Sequence, residues 1–220
     1  MGEAIAVNPA RAVTLTWMIA AGHDERGTAP GARATAADRP LSDLDDVSLV
    51  QACLAGRPNA FDLIVERHRR PIFQLCYRFV HNHEDASDLS QETFLRAYRG
   101  LERFRREASL KTWLYRIGVN VCLTHVSGKG LRTEPIDEGQ HLQAGGERAD
   151  EGLVRAERAA RVRAAIGGLP EKQKTTLILR MYHDMSHEEI AGVLGCTVGA
   201  VKANFFHALG NLKKRLGDPA

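Results

Sequence analysis

The sequence predicts an all-α protein, and three observations predict it. Apolar residues recur at three- and four-residue steps from Asp45 to Leu216. The runs are punctuated by Gly, Pro and cap-forming Ser, Thr or Asp, the residues that start and stop helices. No apolar–polar alternation of the kind a half-buried strand needs competes with them. A length of 220 residues accommodates two small helical domains joined by a flexible linker.

The elements follow in order. Residues 1–41, rich in Ala, Gly, Thr and Arg, lack periodicity and are expected to be mostly disordered. The apolar run Ala12–Ala21 is short for an export signal and carries two threonines. Disorder, or a native start at Met18, accounts for it as well. A helix is expected from Asp45 to about Leu54, with Gly56 as its stop. A second opens at Pro58, suited to a first turn, and Pro71 marks a break or restart within it. A third spans roughly Glu84–Arg99 before Gly100, and a fourth Leu110–His125. Residues 127–152 carry three basic and six acidic groups among several glycines and read as a flexible, self-solvating linker. Beyond it come Leu153–Ile166 and Pro170–Tyr182, then the stretch Ser186–Leu216.

That last stretch carries the clearest functional signal. Ser186 and Glu189 have capping-box spacing. Gly195 sits where the chain must turn, and Thr197 suits the N-cap of the next helix. The second helix has two stripes. Val198, Val201, Phe205, Ala208, Leu209, Leu212 and Leu216 make an inward face. Gly199, Lys202, Ala203, Phe206, His207 and Gly210 make a small, close-approaching outward face. This is the pattern of a helix-turn-helix, whose second helix lies in the major groove. Residues 153–220 hold eleven basic and six acidic groups, the sign that phosphate contact requires. A solvated helical hairpin is the plainer alternative.

The middle block, residues 45–126, has two further faces. Asp85, Asp88 and Glu92 share one side of their helix, followed by Arg96 and Arg99. Dipole-complementing charge order with a Glu92–Arg96 pair accounts for this, and so does docking on a basic partner. No further ligand-type side chain on this helix is placed to complete a metal or acid–base site, so no catalytic residue and no metal ligand is expected. His81 and His83 are assigned to a solvated turn rather than to an enzyme site. On the next helix, Leu110, Trp113, Leu114, Ile117 and Val121 form the core stripe. Thr112, Arg116 and Asn120 run beside it, Lys111 and Tyr115 lie further round, and Arg103, Arg105 and Arg106 crowd the loop. Cations interleaved with aromatics and an amide suit single-stranded DNA. For Asn120 a structural hydrogen bond and a base contact remain equal alternatives.

The four cysteines are widely spaced, which suits reduced thiols of a cytoplasmic protein and not a zinc site. No run of about 18 apolar residues exists, so no membrane span is expected.

Taken together, EDASDLSQETFLRAY, FRREASLKTWLYRIGVN, the pair Leu169–Pro170 and SHEEIAGVLGCTVGAVKANFFHAL closely resemble the extracytoplasmic-function (ECF) class of bacterial sigma factors. The resemblance covers about residues 45–216. It implies a region 2-like domain over 42–126, a linker over 127–152 threading toward the RNA exit path, and a region 4-like domain over 153–217. It implies that Asp85, Asp88, Gln91, Glu92 and Phe94 dock on the β′ clamp helices of core RNA polymerase. It implies that Arg105, Arg106, Lys111, Trp113, Tyr115, Arg116 and Asn120 open and hold the −10 element. Thr197, Lys202, Ala203, Asn204, Phe206 and His207 would read the −35 element.

The partners implied are core polymerase, including its β flap, promoter DNA and an anti-sigma factor. The protein would be a non-enzymatic, cofactor-free initiation factor for a stress- or signal-responsive regulon. The family often has Ser then Arg after the position of Lys202, and Arg at that of His207. This chain has Ala203, Asn204 and His207. Arginine offers guanine a bidentate fork that Asn and neutral His cannot copy, so the usual −35 preference does not transfer.

Overall fold

The computed structural model describes residues 40–129 and 149–217, side chains at 129 and 149–153 excepted. Within them are eight α-helices and no strand: α1 (Asp46–Leu54), α2 (Ala60–Val80), α3 (His83–Gly100), α4 (Leu110–Lys129), α5 (Ala149–Gly167), α6 (Glu171–Tyr182), α7 (His187–Leu194) and α8 (Val198–Leu216). The readings made for residues 1–39 and for the linker's centre, 130–148, fall outside the described residues. The linker's two ends do not: α4 runs through to Lys129 and α5 starts at Ala149, so residues 127–129 and 149–152 of that stretch are helical.

Local chemistry sets most boundaries. Asp45 caps α1 by accepting from the Ser48 N–H at 2.8 Å, and Gly56 takes φ 73° just past its end. Asn82 caps α3 through the Asp85 N–H at 3.0 Å. Ser109 caps α4, its hydroxyl accepting from the Thr112 N–H at 3.1 Å. At Pro71, however, the expected break is absent, and α2 runs unbroken from Ala60 to Val80. Proline removes one hydrogen bond from the helix interior. Here Ile64 before it and Ile72, Leu75, Cys76 and Phe79 after it lie in the same core, so tertiary packing holds both halves in place.

The first block packs α2, α3 and α4 against one another, with α1 on α2. Ile64, Ile72, Leu75, Leu114 and Cys122 are fully buried there. Each such aliphatic side chain contributes roughly 1.5–3 kcal/mol. In the second block, α6 and α7 pack on α8. A smaller cluster of Ile166, Leu169, Leu177 and Ala208, with Phe205 and Leu212 against it, joins α5 to α8. The main core is continuous through both blocks, reaching from Leu49 to Ile178, Leu179, Met185, Ile190 and Val201.

All four cysteines are free thiols. Cys76 and Cys122 are buried, and hydrogen bonding between them together with burial pushes the Cys122 thiol up. Cys196, by contrast, is exposed at the turn between α7 and α8. No single described helix is long and apolar enough to cross a membrane, although the bent pair α7 and α8 passes that test by composition together.

Candidate nucleic-acid interface

The helix-turn-helix is built as its residues dictate. The Ser186 hydroxyl accepts from the Glu189 N–H at 3.1 Å, and the Glu189 carboxylate accepts from the Ser186 N–H at 2.8 Å. Both halves of the capping box are therefore made. Gly195 takes φ 62°, a left-handed conformation that costs glycine little, and turns the chain by 102° between α7 and α8. Thr197 caps α8 by accepting from the Ala200 N–H at 3.2 Å. Its hydroxyl is thereby engaged in holding the start of the helix.

Along α8, Val201 and Ala208 are fully buried, while Lys202, Ala203, Phe206 and His207 are exposed. Phe206 is 75 % exposed, and its ring meets that of His207 edge-on at 5.9 Å. Asn204 is half-buried at the margin. Leu209, expected to face inward, is 44 % exposed. It lies about 100° round the helix from Ala208, past the edge of the packed stripe.

On α3, Asp88 and Gln91 are exposed and Asp85 is partly so, its carboxylate 3.9 Å from His125. Glu92 accepts from the Arg96 guanidinium at 2.7 Å, the pair that charge order predicts. Phe94 points inward and is 7 % exposed. The structure thus places four of the five candidate docking residues at the surface and the fifth in the core beneath them.

The loop and helix that follow form a second face. Trp113 is half-buried, tilted against Phe104 at 5.3 Å and lying over Gly100. Arg96, Gly100, Arg103, Trp113, Ile117 and Asn120 line an open cleft of about 300 Å³. Asn120 stands exposed on it, and Arg105 is exposed nearby. Arg106 takes φ 61°, and with the Gln51 amide turned to accept, its guanidinium donates to Gln51 at 2.7 and 3.2 Å.

Three other predicted residues do not line that cleft, although Arg116 is exposed. Lys111 lies 5.8 Å from the Tyr115 ring centre. Tyr115 is 1 % exposed, and its hydroxyl meets His183 Nδ1 at 3.0 Å. Arg116 donates through Nε to the Gly192 carbonyl at 2.9 Å, with a second bond from the other guanidinium nitrogen. Burial, with the charge of Glu189, pushes the Tyr115 hydroxyl up to about 12. Burial first, then Arg78 and Lys111, pushes His183 down to about 4. The pair is therefore uncharged at neutral pH.

His183, Gly192 and Gln51 were not singled out by the sequence, because their roles come from partners far along the chain. Among the described residues no group of three His, Cys, Asp or Glu side chains is placed to hold a metal ion.

Two family descriptions match. Residues 64–132 fit sigma-70 region 2, and residues 159–212 fit sigma-70 region 4. The chain is 36 % identical over 185 residues to the RNA polymerase sigma-H factor of Pseudomonas aeruginosa, covering 80 % of this chain and 96 % of that one. It is 35 % identical over 175 residues to the ECF RNA polymerase sigma-E factor of Haemophilus influenzae, covering 75 % and 92 %. Among solved structures, CnrH in complex with the cytosolic domain of CnrY aligns with a TM-score of 0.57 at 27 % identity, covering 76 % of this chain and 94 % of that one. The sigma factor RpoE in complex with the anti-sigma factor NepR from Bartonella quintana aligns with a TM-score of 0.58 at 20 % identity, covering 74 % and 99 %, and supports the fold. With both sigma regions matched in order and such identity over most of its length, the chain belongs to the ECF family of RNA polymerase sigma factors.

Proposed function

We propose that this sigma factor divides promoter-directed transcription initiation among three surfaces. The exposed face of α8, with Lys202, Ala203, Phe206 and His207, meets the −35 duplex, and Asn204 and Thr197 shape its margin. The −10 element is opened and held by α4 and its leading loop, with Trp113 and Asn120 at the cleft, Arg105 and Arg106 in the loop, and Lys111, Tyr115 and Arg116 on the side of α4 outside the cleft. The α3 face of Asp85, Asp88, Gln91 and Glu92, backed by Phe94, docks on the β′ clamp helices. The observation that carries this reading is the open cleft, where Arg96, Arg103, Trp113 and Asn120 bring cations, a ring and an amide together. Cations follow a single-strand backbone, rings stack on bases and amides pair with base edges. Polymerisation chemistry belongs to core, so the chain needs no catalytic residue or cofactor of its own.

A cytoplasmic location follows from this role, as does contact of the region 4 part with the β flap. Two of the solved structures are complexes, one with the cytosolic domain of CnrY and one with the anti-sigma factor NepR. An anti-sigma factor is accordingly proposed for this chain too. The test is run-off transcription with core polymerase and the purified full chain. Specific transcripts are expected, and Asp88→Ala combined with Glu92→Ala is expected to lose core binding. Wild-type core affinity in that double variant would refute the docking face.

A further inference from the structure

Where the C-terminal end of α2 meets α5 and α6, three cations gather without a counter-charge. Arg78 and His81 of α2, Arg163 of α5 and Tyr182 of α6 line a small cleft with Ile166 and Ile178. Lys174 of α6 stands at the same seam, its ammonium 5.6 Å from the Phe79 ring centre. Among the described residues no carboxylate pairs with Arg78, Arg163 or Lys174. The end of a helix carries only about half a negative charge, so the last carbonyls of α2 offset a fraction of three cations.

The side chains are left available to a ligand. The Arg78 guanidinium carbon lies 3.9 Å over the Tyr182 ring centre. That contact uses the face of the group and leaves free the N–H edge, the part that grips phosphate. Arg163 is exposed and Lys174 half-buried. His81, expected in a solvated turn, is half-buried and takes φ 54° as the C-cap of α2. That left-handed conformation costs a residue with a Cβ about 1 kcal/mol, where glycine adopts it freely. The His81 Nε2 is buried without a partner. Burial, then the charges of Lys174, Arg163 and Arg78, holds its imidazole below the ordinary value. The four basic groups therefore disfavour one another's charge, a cost that a bound anion removes.

We propose that this seam is a binding site for a diphosphate group, held by Arg78, Arg163 and Lys174 with His81 as a further donor. Near neutral pH a diphosphate carries roughly three negative charges and offers oxygens on both phosphorus atoms, so a cation from each of three helices can take one. A lone carboxylate cannot balance three cations. The group belongs either to free pyrophosphate or to a nucleoside diphosphate. Because its holders come from α2 in the first block and from α5 and α6 in the second, occupancy stabilises the arrangement in which these helices meet.

The experiment is isothermal titration calorimetry on the full chain at fixed ionic strength, with pyrophosphate, ADP, inorganic phosphate and a tetraglutamate peptide as probes. The His81 ring is followed by NMR in parallel. Pyrophosphate is expected to bind once per chain, at least about tenfold more tightly than phosphate or the peptide. It is also expected to raise the His81 pKa toward the ordinary histidine range, since a negative charge opposes the three cations. Arg163→Gln, at an exposed position that the fold does not need, should weaken binding about tenfold, the loss of one charge-assisted contact. Lys174→Gln should act in the same direction. Arg99→Gln, at the end of α3 opposite to His83, should leave the affinity unchanged.

Tighter binding of ADP than of pyrophosphate assigns the group to a nucleotide, and weaker binding assigns it to free pyrophosphate; either upholds the site. Phosphate or peptide binding as tight as that of pyrophosphate overturns the proposal. So do the absence of binding by both diphosphates, an affinity that Arg163→Gln leaves unchanged, and a His81 resonance that pyrophosphate does not move.

Discussion

Acid should loosen the contact between α4 and the α6–α7 junction, and one side chain should account for most of the effect. His183 is 8 % exposed, with Arg78 and Lys111 raising the cost of a charge on it and Asp184 easing it. Its Nε2 is buried without a partner, so the imidazolium, which carries an N–H on both ring nitrogens, would have one with no acceptor there. Its folded value of about 4 lies below the ordinary 6.5, so the folded chain binds fewer protons than the unfolded one. The stabilisation is therefore fully present above about pH 6.5 and is lost as pH falls toward 4. Between about pH 7.5 and about pH 5 this shifts the folding equilibrium by roughly 30-fold, on the order of 2 kcal/mol.

The assay is urea unfolding of the parent chain and of His183→Phe at about pH 7.5 and about pH 5. Phenylalanine cannot titrate, while the depressed carboxylates Asp45 and Glu188 remain in both proteins and cancel in the comparison. The parent should lose about 2 kcal/mol more than the variant on acidification. Equal losses would refute the reasoning, since they would mean that His183 takes up its proton freely in the folded state. Enhanced loss in the phenylalanine variant would refute it more sharply by reversing the sign.

Two more expectations concern the helix-turn-helix. Lys202→Ala should flatten the salt dependence of promoter binding by a slope of roughly one, measured by titrating binding against salt, and an unchanged slope would take Lys202 off the DNA face. Ser186→Ala should cost about 1 kcal/mol in thermal or urea unfolding, because it removes the cap on the Glu189 N–H, and a cost near zero would show that water replaces the hydroxyl without loss.

What the sequence reveals and what it hides divide along the reach of the interactions. The capping box, the turn at Gly195 and the N-caps at Asp45 and Thr197 are contacts over three residues, so side-chain type and spacing suffice to place them. The inner stripe of α8 is likewise legible except at its edge, where Leu209 passes the limit of the packed face. Pro71 misleads because propensity is local while Ile64 and Ile72 are held by α3 and α4.

The candidate −10 face shows the same limit from the other side. Trp113, Arg103 and Asn120 gather at the cleft as their positions on one helix and its loop suggest. Tyr115 and Arg116 look outward by helical spacing, yet their partners stand 68 and 76 residues further on. Nothing in the local pattern around Tyr115 announces His183, nor does a lone glycine at 192 announce a helix crossing.

The main core, running without a gap from Leu49 through Leu114 and Cys122 to Ile178, Met185 and Ile190, bears on how the molecule comes apart. Part of the apolar lid over the first block is supplied by the second. Heat or denaturant that loosens α6 and α7 strips that lid and is felt at once in α2 and α4, which ties the two blocks into one cooperative event. The point at which the chain changes its task, from gripping one promoter element to gripping the other, is thus not a point at which it is divisible as a folding unit.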